Sequence, residues 1–190
     1  MLILLHTLSL CTAILNAQTL QFNVFKGDDV VGSVRAMRSE IAGRTIYIMT
    51  SHSEFDIIWK QVVRSSAIAE YINGSLNSCS TSMRVNDAVR DSSSMVQGAD
   101  RCYVHPIVPF DCDRNTEWTT ARMYYEEPLS QPSIFVESVL RECPLTRSGP
   151  NTYLLTLPNK HTNRYTYLDG ILQEIHIDRS FFDLVFRRVS

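Results

Sequence analysis

The chain has 190 residues, with 20 acidic and 18 basic side chains for a formal net charge of -2 at pH 7, and 44% of its residues are hydrophobic. Seven glycines and seven prolines exclude a fibrous chain, and the hydrophobic content excludes a disordered one. With no basic surplus, neither nucleic acid nor an anionic membrane surface is implied as a partner.

The first seventeen residues are apolar, contain no Lys or Arg, and end in Leu15-Asn16-Ala17. Met1-Leu2-Ile3-Leu4-Leu5 and residues 8–15 make an h-region of signal-peptide length, well short of the roughly 20 apolar residues that span a bilayer. Ala17 supplies the small residue wanted at a cleavage point, although Leu15 is large for its position and the positive n-region is only the α-amino group. Leu10 before Cys11 argues against a lipid-modified cysteine. The alternative, a buried N-terminal helix, has to explain why the hydropathy period changes at once from Gln18 onward. The reading is a signal peptide over 1–17 and one domain over 18–190, exported to the periplasm or beyond, with no transmembrane segment after cleavage. Cys79, Cys102, Cys112 and Cys143 then remain in an oxidising compartment. Four cysteines allow three full pairings; Cys102 with Cys112 is the simplest local bridge, because Pro106 and Pro109 turn the intervening chain back. Otherwise they are small buried residues.

Strand signals dominate the remainder, as β-branched and aromatic residues recur in runs of five to ten between Gly, Asn, Asp and Pro. Residues 22–25 and 30–37 flank Lys26-Gly27-Asp28-Asp29, a hairpin signal. Residues 45–58 and 61–72 read as two long neighbours. Asn73-Gly74 suits a two-residue turn with positive φ at both positions and pairs 63–72 with 75–85. A turn at Asn86-Asp87 leads into 88–96, and 102–105 resumes after a weaker stretch. Residues 106–115, with two prolines and two cysteines, read as an ordered surface loop. Asn115 or Thr116 is expected to cap a short helix running to about Tyr125, with Glu117 in its first turn and Pro128 stopping continuation.

Farther on, Tyr153-Leu154-Leu155-Thr156-Leu157 precedes a turn at Pro158-Asn159, and Asp169-Gly170 joins 162–168 to 171–178. Ile171, Gln173, Ile175 and Ile177 alternate with Leu172, Glu174, His176 and Asp178, so one face is buried and one is wet. Phe182, Leu184 and Phe186 repeat the pattern. The expected fold class is all-β and mainly antiparallel: a curved meander or barrel-like sheet of about ten to twelve strands with at most one short helix.

Phe22-x-Val24 with Gly32, then Tyr71-Ile72-Asn73-Gly74-Ser75-Leu76, Tyr124-Tyr125-Glu126-Glu127-Pro128, Ile134-Phe135-Val136-Glu137 and Asn163-Arg164-Tyr165-Thr166-Tyr167-Leu168-Asp169-Gly170-Ile171 stand in an order that resembles a family of exported Bacteroidetes proteins, a domain of unknown function. The resemblance covers the mature chain. It implies a curved antiparallel sheet wrapped partly around a helix or a ligand, and it brings no function and no cysteine pattern with it.

Candidate chemistry is sparse. His52, Glu54 and Asp56 occupy alternate positions of one strand and so share a face, which is the best metal constellation in the chain; strand alternation with a wet outer face explains them equally. Cys102, His105 and Cys112 carry zinc-type donors at spacings that match no common structural site. Glu127 and Glu137 are the pair of carboxylates that burial beside Tyr124 and Phe135 would adapt to acid and base work, with a hydrogen-bonded structural Glu as the alternative. No Gly-x-Ser-x-Gly elbow, phosphate-binding Gly-rich loop, Cys-x-x-Cys pair or zinc-protease helix occurs. Asn73-Gly74-Ser75 has the form of a glycosylation acceptor, for which the hairpin is a sufficient explanation. Tyr165, Tyr167, Phe181, Phe182 and Phe186 concentrate near the end, as core or as the lining of an apolar pocket in a wide barrel.

These features favour an exported, non-catalytic β-protein without a cofactor that binds a lipid or other apolar small molecule in the cell envelope. The alternatives are an interaction or structural module that docks an envelope protein by an edge strand or the 106–115 loop, and a metal-dependent or carboxylate hydrolase.

Overall fold

The computed structural model describes residues 16–99, 101–106, 110, 115–179 and 182–189, with the side chains of Asn16 and Phe182 excepted. The expected signal peptide therefore lies outside the described residues apart from its last two positions, which open the first strand. Thirteen strands follow in chain order: β1 (Asn16–Lys26), β2 (Asp29–Ile41), β3 (Arg44–Asp56), β4 (Lys60–Ile72), β5 (Ser75–Val85), β6 (Ala88–Gln97), β7 (Cys102–His105), β8 (Ser133–Val136), β9 (Arg141–Gly149), β10 (Thr152–Thr156), β11 (Thr162–Leu168), β12 (Ile171–Arg179) and β13 (Phe182–Arg188). They form one antiparallel sheet in the order β7-β6-β5-β4-β3-β2-β1-β13-β12-β11-β10-β9-β8. The sheet is open, with β7 and β8 at its two edges.

Hairpin chemistry sets this order. Asn73 and Gly74 sit at φ 51° and 85°, Asp169 and Gly170 at 52° and 75°, and Asn86 and Asp87 at 49° and 65°. Two consecutive positive φ values make the turn whose twist matches the flanking strands. Ala42-Gly43 makes a fourth such turn, with φ 48° and 78°. Among the described residues the one long-range pairing between strands is β1 with β13, Phe22 opposite Arg188 and Val24 opposite Phe186. Register shifts at Val24/Phe25, Glu70/Tyr71, Met83/Arg84, Thr152/Tyr153 and Thr166/Tyr167 insert bulges that coil the sheet.

Thirteen strands are slightly more than the sequence pattern suggests. The excess comes from the short β8 and from β9, whose Pro144 and alternating charges obscure it. The expected helix from residue 115 to about 125 is corrected to a single 3-10 turn, Arg122–Tyr124. Its N-terminal half is drawn into strand-like bonding instead: Thr119 bridges Phe135 in parallel, Phe135 N–H donates to Trp118 O at 3.0 Å, and Thr120 N–H donates to Phe135 O at 3.2 Å. Backbone groups held by β8 are not available to a helical ladder.

Residues 115–132 leave the β7 edge and arrive at the β8 edge, so they must cross the concave side. There Met123, Tyr124, Ile134 and Val136 pack with Phe22, Val24, Cys143, Leu155, Tyr165, Tyr167, Leu172 and Ile175. A second cluster joins Ala121, Phe135 and Leu140 to Tyr47, Ala69, Tyr71, Leu76, Cys79 and Met95. Phe22 meets Tyr124 edge to face at 5.5 Å between centroids.

In the β2–β3 pairing Gly32 faces Ser53, and a Cβ at Gly32 would fall 2.1 Å from the His52 backbone O and 2.6 Å from both Ser53 Cα and Ser53 Oγ. Gly32→Ala is therefore expected to lower stability by about 1–3 kcal/mol, the range for overpacking. Urea unfolding of the two proteins, compared at equal m-value, measures it.

Candidate functional site

The concave side of the sheet has two unlike halves. Across β9–β13 and β1 the inward residues are large and buried, and residues 115–140 fill the space they enclose. Tyr165 and Tyr167, expected as pocket lining, are each 3% exposed. Tyr167 Oη donates to Met123 O at 2.7 Å, and its ring meets Tyr153 edge to face at 5.8 Å. Burial pushes the Tyr165 phenol up to about 12 and raises Tyr124 and Tyr167 as well, so all three remain protonated at neutral pH. Phe186 is half-buried against the same cluster. Here the aromatics enclose the chain's own crossing segment.

Across β2–β6, between the buried Phe55 near the turns after β1, β3 and β5 and the buried Tyr47 farther along, the inward residues are Val, Met, Ala, Ser and Thr. Register stacks Val34, Ser51, Ser65 and Met83 in one row and Ala36, Met49, Ala67, Thr81 and Ser93 in the next. Met49, Ser51, Ser65, Ala67 and Thr81 are partly exposed, in contrast to the buried aromatics opposite. The result is a partly exposed strip of the inner face, termed the trough, lined by methyl, methylene and hydroxyl groups. Ser51 Oγ and Ser65 Oγ are 2.6 Å apart, as are Thr81 Oγ1 and Ser93 Oγ. Ser93 Oγ donates to Glu137 O at 2.7 Å, so its single proton is spent there and Thr81 must donate to Ser93. The Ser51–Ser65 pair has two protons and one mutual bond, which leaves one O–H directed elsewhere.

Glu137 closes the inner end of this trough. Its side chain is 1% exposed, and its carboxylate accepts from Ala121 N–H at 3.0 Å and from Thr120 Oγ1. Nearby, Tyr71 Oη donates to Thr119 Oγ1 at 2.9 Å. Glu127 instead accepts from Tyr153 Oη at 2.8 Å on the filled side. The Glu137 carboxylate thus ties the crossing segment to the β8–β9 turn, whose backbone carbonyl at Glu137 in turn receives Ser93, while Glu127 fastens the segment to β10 through the Tyr153 phenol.

His52, Glu54 and Asp56 lie on the outer face of β3 and are exposed. His52 Nε2 is 3.4 Å from Glu54 Oε1, while Lys60 Nζ takes the other Glu54 oxygen at 2.6 Å. Among the described residues no group of three or more His, Cys, Asp or Glu side chains gathers as a metal site requires. Cys112, one end of the expected Cys102–Cys112 bridge, lies outside the described residues, and so do Phe181 and the Phe182 side chain. Cys79 and Cys143 are free thiols, both buried. Among the described residues no helix is long and apolar enough to cross a membrane.

The trough was not legible in the chain. Its hydroxyl side chains are spread over four strands, and only the register brings Ser51 to Ser65 and Thr81 to Ser93. Nothing in a run such as Ser92-Ser93-Ser94 marks the middle residue as the inward one until the neighbouring strand is placed.

A family model for a domain of unknown function, DUF6134, matches residues 22–189, and the chain belongs to that family. No curated protein and no solved structure matches it.

Truncating Glu137 strands Ala121 N–H and Thr120 Oγ1 in a dry environment, so Glu137→Ala is expected to lose about 2–4 kcal/mol, with Glu137→Gln losing less. Calorimetric or urea unfolding of the three proteins gives the ordering. The Cys79 thiol, pushed up to about 12 by burial, is expected to resist a thiol reagent at pH 8 until denaturant is added, when it and Cys143 both react.

Proposed function

We propose that this member of the family is an exported, non-catalytic binding protein of the cell envelope and that it takes a lipid or other apolar small molecule in the trough of β2–β6. The observation that carries the reading is the asymmetry of the concave face. One half is packed by the chain itself, and the other keeps small, partly exposed side chains where a filled core would hold large ones.

The lining suits an amphipathic guest. Met49, Ala67 and Met83 supply apolar contact. The hydroxyls largely satisfy one another, so covering them with hydrocarbon leaves few donors unpaired. The free O–H of the Ser51–Ser65 pair suits an ester or headgroup oxygen. Catalysis is disfavoured by the same contacts: Ser51 and Ser65 have each other as partners, and His52, the adjacent imidazole, points to the opposite face of β3. The apolar run over residues 1–17, and the likeness to exported Bacteroidetes proteins, support the envelope location.

Ala67→Phe places a ring in the middle of the trough without touching the filled half. For protein produced with its first seventeen residues in a bacterial host, native mass spectrometry is expected to show a lipid mass on the wild type that Ala67→Phe lacks while unfolding as cooperatively. A wild type that stays bare after incubation with total lipid extract overturns the proposal.

A further inference from the structure

We propose that the β3–β4 hairpin tip, Ile57-Ile58-Trp59, is a membrane-interface anchor that seats this end of the sheet in the headgroup region of a bilayer. Ile57, Ile58 and Trp59 are 47%, 84% and 66% exposed, three consecutive apolar side chains on an apex. Exposed runs of this kind are avoided on soluble surfaces unless something covers them. In a meander the turns after β1, β3 and β5 share one end, so Val30, 59% exposed at the start of β2, and Val89, 56% exposed in β6, extend the apolar rim on either side.

Two features favour lipid over a protein partner. The first is the backbone of the tip. Ile57 N–H donates to Trp59 O at 3.3 Å, Gln61 Nε2 donates to Trp59 O and Lys60 O at 3.3 and 3.2 Å, and Lys26 Nζ donates to Asp56 O. The carbonyls at the base of the tip, of Asp56, Trp59 and Lys60, thus have partners from the protein itself and can leave water without a partner to receive them, which a lipid environment favours. The second is the layout of charge. Lys26 and Lys60 stand just behind the apex, their long stems able to carry ammonium groups to lipid phosphate while Trp59 occupies the interfacial depth. Lys60 is paired with Glu54 at 2.6 Å, and Asp28, Asp29 and Asp56 at the same end offset Lys26, so the region carries no net positive charge. The bilayer it fits is therefore zwitterionic, with apolar insertion and not anionic attraction as the driving term.

This anchor is independent of the ligand reading for the trough, and the experiment separates them. Full-length protein is mixed with phosphatidylcholine–phosphatidylethanolamine vesicles at millimolar lipid, and binding is read by co-sedimentation and by quenching of Trp59 with brominated lipid. Trp59→Ala serves as the control that reports Trp118 alone. The expected result is that wild type and Ala67→Phe both sediment with vesicles at low and high salt, while Ile58→Ala combined with Trp59→Ala loses at least tenfold in partitioning with an unchanged circular dichroism spectrum. The proposal is overturned if wild type stays in the supernatant, if the double variant binds equally well, or if the tip instead supports a dimer in solution that the double variant abolishes.

Discussion

A meander of thirteen strands has two edges, and the chain that joins them has only one short route, through the inside of the curl. That constraint organises the molecule. Residues 115–132 lead to β8 across the concave side, and β8 then pairs with β9 while its Ile134 and Val136 are buried in one cluster and its Phe135 in the other. The crossing segment is consequently the hydrophobic filling of a sheet too wide to be filled by its own side chains. It has little regular structure because its polar groups are spent on the sheet: Leu76 N–H on Thr116 O, Tyr71 on Thr119, Tyr167 on Met123 O and Tyr153 on Glu127. Buried phenols act here as fasteners, an apolar ring in the core with one polar tip that must find an acceptor.

The same crossing explains why the concave face is uneven. Where the segment lies, inward residues are Leu, Ile, Tyr and Phe, closely packed. Beyond the Glu137 turn nothing described covers the small residues of β3–β6 as fully, and they stay partly accessible. Glu137 marks the boundary. A carboxylate at 1% exposure is tolerated because Ala121 N–H and Thr120 Oγ1 both donate to it, and its own carbonyl holds Ser93. Both edge strands are only four residues long, which limits pairing with other chains and suits a protein that works through its interior or its hairpin tips.

Legibility in the sequence divides along the range of the interactions. Asn73-Gly74, Asn86-Asp87 and Asp169-Gly170 could be read as turns because their left-handed backbone is a local matter of side-chain sterics, and the long strands between them followed. In β12 alternation placed Ile175 inward and Glu174, His176 and Asp178 outward, but the bulge opposite Thr166/Tyr167 reverses its first pair, burying Leu172, expected on the wet face, and leaving Ile171 46% exposed. The helix expected near residues 115–125 misread a segment whose local signals are genuine, with a cap-forming Asn115 and a Glu117; β8 outcompetes them from fifteen residues away. Tyr165 and Tyr167 were correctly placed on the inward face, but whether that face encloses a ligand or the chain itself is no property of the strand that bears them. Trp59 carried no signal of its own, since an aromatic in a β-rich chain is ordinarily core.

Taken alone, the order of residues determined that this chain is a run of antiparallel hairpins with one greasy side, because turn conformation and two-residue alternation depend only on neighbours a few positions apart. Only tertiary structure decided what the greasy side encloses, which of its serines meet, and which apolar side chains are left at the rim. Those outcomes depend on strand register and on the path of a single crossing segment, and both are set by packing between residues far apart in the chain.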